Sequence, residues 1–535
     1  MNNNEHISYI IAKTLLNLGC KDACISPGAR NSCLALNLSN CFKSYNLLDE
    51  RSAGYMALGI AKQTSKPTII NCTSGTAVGN LLPSIIEARM SEIPIIIITA
   101  DRPKNMINKG ENQTIYQDTI FDKYILEYQA IDSSSTNIEN TIHTIYKTSI
   151  GLSDNKPLHE KGPVHINVHL DEPKLSTESE RCSVNKIFKN INTQTIKNDI
   201  EIKDFKSPLI ICGQSNLNEY KENIFKLSDK FNTPIIADIS SNIPSHPNSI
   251  SYYDMFIDNM NCDTIFRFGK KPLSKKLNNL IKECNNTYLI RNEKIFNDDI
   301  SNIISYKELS DFIDATHISL KTDWITSIKK QESLYISRIE NIMNTATDLN
   351  EYTIAYKTLN QAENNSNIFI GNSIIIRAFN FLRRNITQKK LNIFSNRGAS
   401  GIDGNIATSI GIAISSNLNY NYLILGDQAF MHDIGSLKIL KDLNVNLMII
   451  IINNSGGGIF DYLPISNEDN IKGYKQFIRS DHNETFKDIT EAYGISYRKF
   501  DALSKFSLPL DTGAHVVELS VNKNDSLNFY KKLTT

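Results

Sequence analysis

Residues 423–458 read LILGDQAFMHDIGSLKILKDLNVNLMIIIINNSGGG. Leu423-Ile424-Leu425 is an apolar run of strand length that ends in Gly426-Asp427, and a helix-compatible segment follows it. A second apolar run, Leu447–Ile452, ends in Asn453-Asn454-Ser455-Gly456-Gly457-Gly458. Strand, helix and strand in that order predict a parallel pair joined by a crossover helix. Adjacent parallel strands would bring Asp427 and Asn454, 27 positions apart, to one sheet edge. A carboxylate, an amide oxygen and a turn carbonyl form a hard oxygen set suited to Mg²⁺, with diphosphate oxygens completing the shell. The glycines let backbone N–H groups approach the phosphates. Gly-Asp alone reads as an ordinary turn; the spacing, the two strands and the glycine-rich exit together point to the ion.

The same alternation recurs outward from this unit. Apolar runs at Asp22–Ser26, Pro67–Cys72, Ile95–Thr99, Leu209–Cys212, Pro234–Ala237, Ile368–Ile370 and Tyr422–Leu425 are each followed by Gly, Ser or Asn turns and then helical patterns. Strands alternating with helices predict an α/β protein of doubly wound parallel sheets, whose ligand sites lie at the carboxyl ends of strands. Lys174–Lys197, rich in Ser, Thr, Asn and Lys, reads as a linker, and Leu320–Asn350 reads as a helix leading into the last third. Three domains are expected, at 1–180, 181–345 and 346–535. A chain of 535 residues exceeds what one core supports.

Lys+Arg and Asp+Glu are both 57, so no global basic field favours nucleic acid or an anionic membrane. Runs such as Ile95–Ile98 are far too short to span a bilayer, so membrane insertion is not expected. The start, Met1–His6, carries no secretory pattern, and nine Cys is an odd number suited to a reducing, cytoplasmic compartment. Cys20, Cys24 and Cys33 lie close together, but no His or Cys follows at zinc-like spacing. The thiols are read as core filler.

Gly426-Asp427 followed by Asn453-Asn454 resembles the thiamine-diphosphate motif. By that resemblance Asp427, the Asn454 side chain and the Gly456 carbonyl hold Mg²⁺ or Mn²⁺, with Gly426 beside the diphosphate. Such enzymes need a carboxylate at N1′ of the aminopyrimidine, and Glu50 in Leu47–Gly54 sits at a strand-to-helix junction that would supply it. Taken alone, Glu50 would be a helix N-terminal carboxylate favoured by the dipole.

Further segments narrow the resemblance. Ser26-Pro27-Gly28-Ala29-Arg30, Asp49–Gly54, Thr73–Val78, Thr99-Ala100-Asp101-Arg102-Pro103, Asn112–Ile115, Gly371-Asn372-Ser373 with Arg377, Asn396–Gly404 and Asn453–Pro464 follow in order. Together they resemble the 2-succinyl-5-enolpyruvyl-6-hydroxy-3-cyclohexene-1-carboxylate synthase family of menaquinone biosynthesis. The resemblance implies a thiamine-diphosphate-binding fold, with a pyrimidine-binding first domain and a diphosphate- and metal-binding last domain. The implied reaction is decarboxylation of 2-oxoglutarate and conjugate addition of the succinyl carbanion equivalent to isochorismate. The implied assembly is a homodimer or homotetramer with the cofactor between subunits.

Two dicarboxylate substrates call for guanidinium groups, and Arg30, Arg102, Arg377 and Arg397 all lie in or beside matching segments. An isolated loop Arg would instead be a solvated charge. Gln113 and Ser373 carry over as hydrogen-bonding residues at the reacting centre, against the ordinary role of polar turn residues in serving their own backbone. Ile402 carries over beneath the cofactor, and Ile459, Phe460 and Leu463 as walls of the isochorismate pocket; core packing is the plain alternative for each. His432, read with Asp433 as the start of the helix after Gly426-Asp427, is expected to pack or cap rather than act as a base. Ala29, Asn31, Glu111, Tyr116 and Gln428 depart from common family choices, and none removes a group the chemistry requires. The rivals are another thiamine-dependent 2-oxoacid decarboxylase or acetohydroxyacid-type synthase, which needs no arginine cluster, and an inactive scaffold or ligand sensor, which has no reason to keep Glu50, Asp427 and Asn454 together.

Overall fold

A strand buried on both faces is apolar along most of its length, because helices cover both sides of a parallel sheet. Ile95–Asp101 and Leu447–Asn453 are buried at all seven positions, with unbroken apolar runs at Ile95–Ile98 and Leu447–Ile452. The computed structural model describes residues 3–152, 160–172, 205–291, 298–300, 302–315, 323–386, 389–463, 471–508, 512–522 and 524–534. The expected linker at 174–197 and the expected 180/181 boundary lie outside the described residues, as do Leu320 and Pro464.

Three parallel sheets carry the chain, with helices between their strands. The first contains β1 (Asp22–Ile25), β2 (Lys43–Asn46), β3 (Thr68–Cys72), β4 (Ile95–Asp101), β5 (Tyr128–Ile131) and β6 (Val164–His169), in the order β2-β1-β3-β4-β6-β5. The second contains β7 (Pro208–Cys212), β8 (Ile235–Ala237), β9 (Thr264–Phe268), β10 (Asn286–Ile290) and β11 (Ile303–Ile304), in the order β11-β10-β9-β7-β8. The third contains β12 (Ser366–Ile370), β13 (Leu391–Phe394), β14 (Asn421–Gly426), β15 (Leu447–Asn453), β16 (Ser496–Phe500) and β17 (Ala514–Ser520), in the order β13-β12-β14-β15-β17-β16. Each apolar run picked out in the sequence lies on one of these strands. The helix expected over 320–350 is observed as Trp324–Thr345.

The strands without a clean apolar run have physical reasons for lacking one. β2, β5, β13 and β16 are sheet edges, and their residues are partly exposed. β6, β9 and β17 are interior but carry His165, Asn167, Arg267 and Glu518, all buried. Buried polar groups of this kind survive by pairing. Arg267 Nη2 lies 2.5 Å from Asp298 Oδ2, and Glu518 accepts from Asn453 Nδ2 at 3.0 Å, the Phe486 amide at 3.0 Å and the Tyr497 hydroxyl at 2.8 Å.

The first and last sheets share one core, which runs from Cys24 and Ile70 to Leu423 and Ile449. At its centre, helix Glu50–Thr64 crosses helix Asn405–Ser415 with backbones in contact. A Cβ on Gly59 would lie 2.0 Å from the Thr408 carbonyl oxygen, and one on Gly411 would lie 2.1 Å from that of Met56. Only glycine permits that approach. The second sheet has apolar clusters of its own on its two faces.

Candidate active site

Sheet order places the functional segments. β1, β3 and β4 are neighbours, so the turns leaving them, which contain Arg30, Ser74 and Arg102, meet at one edge. Arg102 Nη1 donates to Ser74 Oγ, and Gln113 Nε2 donates to the Ser74 carbonyl at 2.8 Å. Arg30 donates to the Leu170 carbonyl at 3.2 Å and to Glu172 Oε1 at 2.8 Å. Both guanidiniums are largely buried, and the Arg102 pKa is depressed by burial and then by the charge of Arg30. Beneath them Gln117, absent from the sequence-based set, joins the Gly75 amide, the Ala100 carbonyl and Asn167 in a buried network.

In the last sheet, β13, β12, β14 and β15 are consecutive, and their carboxyl ends carry the other segments. Ser373 (φ +79°) caps helix Ile374–Phe381, and its carbonyl accepts from Arg377 Nη1 at 2.6 Å. Arg377 lies in the first turn of that helix, close after the Gly371–Ser373 turn. Arg397 Nη1 donates to Asn372 Oδ1 at 2.9 Å, while its buried Nε has no hydrogen-bond partner. Burial and then the charge of Arg377 depress the Arg397 pKa. The charge of Arg30 thus acts on Arg102, and that of Arg377 on Arg397.

The register pairs Gly426 with Ile452, so β14 and β15 end together. Asp427 is 2% exposed; its Oδ2 accepts from the Gly456 amide at 3.0 Å, and its Oδ1 accepts from the Gln428 amide at 2.6 Å. Burial lifts its carboxyl above the usual range, opposed first by the Gly456 amide and next by His482, whose Nε2 lies 3.2 Å from Oδ2. Asn454 Nδ2 donates to Glu351 Oε1 at 3.1 Å, which leaves Asn454 Oδ1 buried without a partner. Burial pushes the Glu351 carboxyl up to about 7. Gly456 adopts φ +139°, and a Cβ there would lie 2.8 Å from the Arg479 carbonyl oxygen.

An orphaned amide oxygen beside a buried carboxylate at a glycine turn fits a hard divalent cation. Among the described residues no cluster of three or more His, Cys, Asp or Glu is suited to a metal. The set expected from the sequence would draw instead on one carboxylate, one amide and one backbone carbonyl.

Other expected residues are spread more widely. Glu50 opens its helix after the N-cap Asp49, and its Oε2 accepts from Asn80 Nδ2 at 3.2 Å. No hydrogen bond or ion pair among the described residues joins Glu50 to Asp427, Asn454 or any of the four arginines. Ile402 is 45% exposed and Leu463 46% exposed, whereas Ile459 packs against the core of the last third. Phe460 folds back beneath Gly457. His432 ends helix Asp427–His432 rather than starting one, since that helix begins at Asp427 itself. Asp433 caps: its Oδ2 accepts the amides of Ile406 at 2.7 Å and Ala407 at 3.0 Å.

The arrangement has counterparts in known proteins. Residues 6–121 match the thiamine pyrophosphate enzyme N-terminal TPP binding domain, and residues 378–508 match the C-terminal TPP binding domain of the same enzymes. A 2-succinyl-5-enolpyruvyl-6-hydroxy-3-cyclohexene-1-carboxylate synthase of Staphylococcus haemolyticus is 31% identical, covering 100% of this chain and 99% of its own length. The chain belongs to that synthase family. Family members of the same name from Staphylococcus epidermidis, covering 100% of this chain and 99% of their own, and from Staphylococcus aureus, covering 98% and 97%, are each 30% identical. As a member of this family the chain is a thiamine-dependent transferase. No helix among its described residues is long and apolar enough to cross a membrane.

The synthase family motifs led to the residues that end strands. They did not lead to Glu351, Arg479, His482 or Asn80, which lie outside the matching segments and contact the expected residues through the tertiary structure. Gln117, four residues beyond Gln113, is the one missed group with a local signal. Seven described cysteines are free and six of them buried, as expected of core filler; Cys41 is disulfide-bonded and departs from that expectation.

Proposed function

We propose that the protein decarboxylates 2-oxoglutarate and adds the resulting succinyl carbanion equivalent to isochorismate, giving 2-succinyl-5-enolpyruvyl-6-hydroxy-3-cyclohexene-1-carboxylate. The observation that carries this reading is the placement of four arginines after the carboxyl ends of strands in two sheets, with the charge of Arg30 acting on Arg102 and that of Arg377 on Arg397. Glu172 already pairs with Arg30, whereas among the described residues Arg102, Arg377 and Arg397 form no ion pair, which leaves their guanidiniums for substrate carboxylates. Arginines so placed suit two dicarboxylates, and a pyruvate-type enzyme has no use for them.

Thiamine diphosphate, when bound, supplies the electron sink that decarboxylation and carboligation need. Every other task falls to side chains. Asp427, Asn454 Oδ1 and the Gly456 carbonyl would hold Mg²⁺ or Mn²⁺, with Gly426 leaving room for the diphosphate. Glu50 would hold the proton at N1′ of the aminopyrimidine, its carboxylate oriented by Asn80. Arg102 and Arg397, supported by Arg30 and Arg377, bind substrate carboxylates; Gln113 and Ser373 hydrogen-bond at the reacting carbon. Ile402 supports the cofactor from below, and Ile459, Phe460 and Leu463 wall the isochorismate pocket.

The active unit is proposed as a homodimer, or a homotetramer built from it, with the first domain of one subunit facing the last domain of another. The lack of any hydrogen bond among the described residues between Glu50 and the Asp427 cluster, together with the exposure of Ile402, favours that arrangement. Among the described residues, seven free cysteines against one disulfide-bonded Cys41 weigh toward the cytoplasm. The test follows isochorismate absorbance with purified protein, thiamine diphosphate and Mg²⁺. Loss that requires 2-oxoglutarate is expected. CO₂ release without isochorismate loss would move the assignment to another acceptor, and no reaction at all would leave a scaffold.

A further inference from the structure

Arg397 stands in a stretch, 395–404, with no helix or strand of its own, between β13 and helix Asn405–Ser415. A substrate-binding guanidinium on such a segment needs support from outside. That support comes from the first third of the chain. Lys62 Nζ donates to the Ser395 carbonyl at 2.7 Å and to Asn396 Oδ1 at 2.7 Å, just before Arg397. Glu87 Oε1 accepts from the Gly398 amide at 3.0 Å and Oε2 from the Ala399 amide at 2.6 Å, just after it.

The two side chains also hold each other. Lys62 Nζ lies 3.5 Å from Glu87 Oε1, and Ser91 Oγ donates to the same oxygen at 2.6 Å. Glu87 is 1% exposed, so its bonds form in a poorly solvated setting where charge-assisted contacts are strong. The backbone fits closely as well: a Cβ on Gly398 would lie 2.6 Å from Ser91 Oγ and 2.8 Å from the Glu87 carbonyl oxygen. A surface ion pair would have no such shape. A buried carboxylate that spends both oxygens on consecutive amides is fixing a backbone.

We propose that Glu87, from the first domain, is a positioning residue for the substrate-carboxylate site: with Lys62 it brackets residues 395–399 and so sets where the Arg397 guanidinium points. The proposal rests on the assignment of Arg397 to a substrate carboxylate. Glu87 touches neither substrate nor cofactor; it acts through Arg397. The bracket also ties the first and last sheets together at the place where the specificity group sits.

The test compares wild type, Glu87→Ala, Glu87→Gln, Arg397→Ala and the Glu87→Ala/Arg397→Ala double variant. Steady-state kinetics give KM and kcat for 2-oxoglutarate and isochorismate, and fluorescence titration gives the Kd for thiamine diphosphate with Mg²⁺. Glu87→Ala is expected to raise KM by about tenfold, the worth of one hydrogen bond to a charged group, for the same substrate that Arg397→Ala affects. The cofactor Kd stays unchanged, and the Glu87 effect disappears in the Arg397→Ala background. Glu87→Gln, which keeps one oxygen for one amide, falls between, and it carries the test if Glu87→Ala does not fold. An equal Glu87 effect with and without Arg397, or a weakened cofactor Kd, would overturn the proposal in favour of a structural role. Impaired Arg397→Ala beside unimpaired Glu87 variants would overturn it while leaving the Arg397 assignment standing. An unimpaired Arg397→Ala would overturn both.

Discussion

Asn454 has two chemically distinct ends, and Glu351 takes one of them. With Nδ2 committed to the carboxylate, Oδ1 is the end left for a cation. Asn454→Ala is therefore expected to weaken Mg²⁺ binding at least about tenfold, read by titrating the metal into protein with thiamine diphosphate present. Glu50→Gln should lower kcat at least about 100-fold while far-ultraviolet circular dichroism stays unchanged; turnover within a few-fold of wild type would remove Glu50 from the mechanism. Asp238, at the end of β8, gives a stability prediction. Burial raises its carboxyl to about 7 from 3.8, opposed by the Leu273 amide and by Arg383 and Arg397, and its Oδ1 has no hydrogen-bond partner. A carboxyl raised in the folded state binds its proton more tightly there than in the unfolded chain. Stability is thus highest below the unfolded value and falls as pH rises toward about 7. Asp238→Asn should flatten that fall in a series of thermal melts across this range and raise Tm above it.

At the scale of elements, the crossing of helices Glu50–Thr64 and Asn405–Ser415 decides how the first sheet meets the last. The glycines at the crossing have no tolerance for a side chain. Gly411→Ala would force its Cβ against the Met56 carbonyl and the Ile60 amide, both backbone, which cannot rotate away. A loss of about 2 kcal/mol or more in denaturant unfolding is expected, and an unchanged midpoint would mean the helices separate freely. Because Glu50 opens one helix and the 395–404 stretch feeds the other, the same variant should also lower kcat/KM.

For the whole molecule, the question is where Glu50 of one chain finds its diphosphate partner. If the site lies between subunits, Glu50→Gln and Asp427→Asn variants, each inactive alone, should complement when mixed and allowed to exchange. A mixed dimer then keeps one site with both residues intact, and activity should recover to about a quarter of wild type. If each site lies within one chain, mixing restores nothing. Sedimentation of the mixture gives the dimer or tetramer directly.

The strands and the residues that end them were legible because their signals are local. A strand buried on both faces carries a long apolar run, as β4 does at Ile95–Ile98 and β15 at Leu447–Ile452, and a parallel strand pair must release its turns at one edge, as β14 and β15 do at Asp427 and Asn454. Edge strands such as β2 and β16 gave no such signal, since half of their surface faces water. The action of Arg30 on Arg102 and of Arg377 on Arg397 had to wait for sheet order, which periodicity does not encode. So did Glu351 behind Asn454 and Glu87 behind Gly398, next to Arg397, 103 and 311 positions away. Sequence determined which groups this protein presents at its strand ends, because short-range sterics and burial govern those. Tertiary structure alone decided which groups hold them in place, because a buried carboxylate can take its partner from anywhere in the chain that packing brings within hydrogen-bond reach.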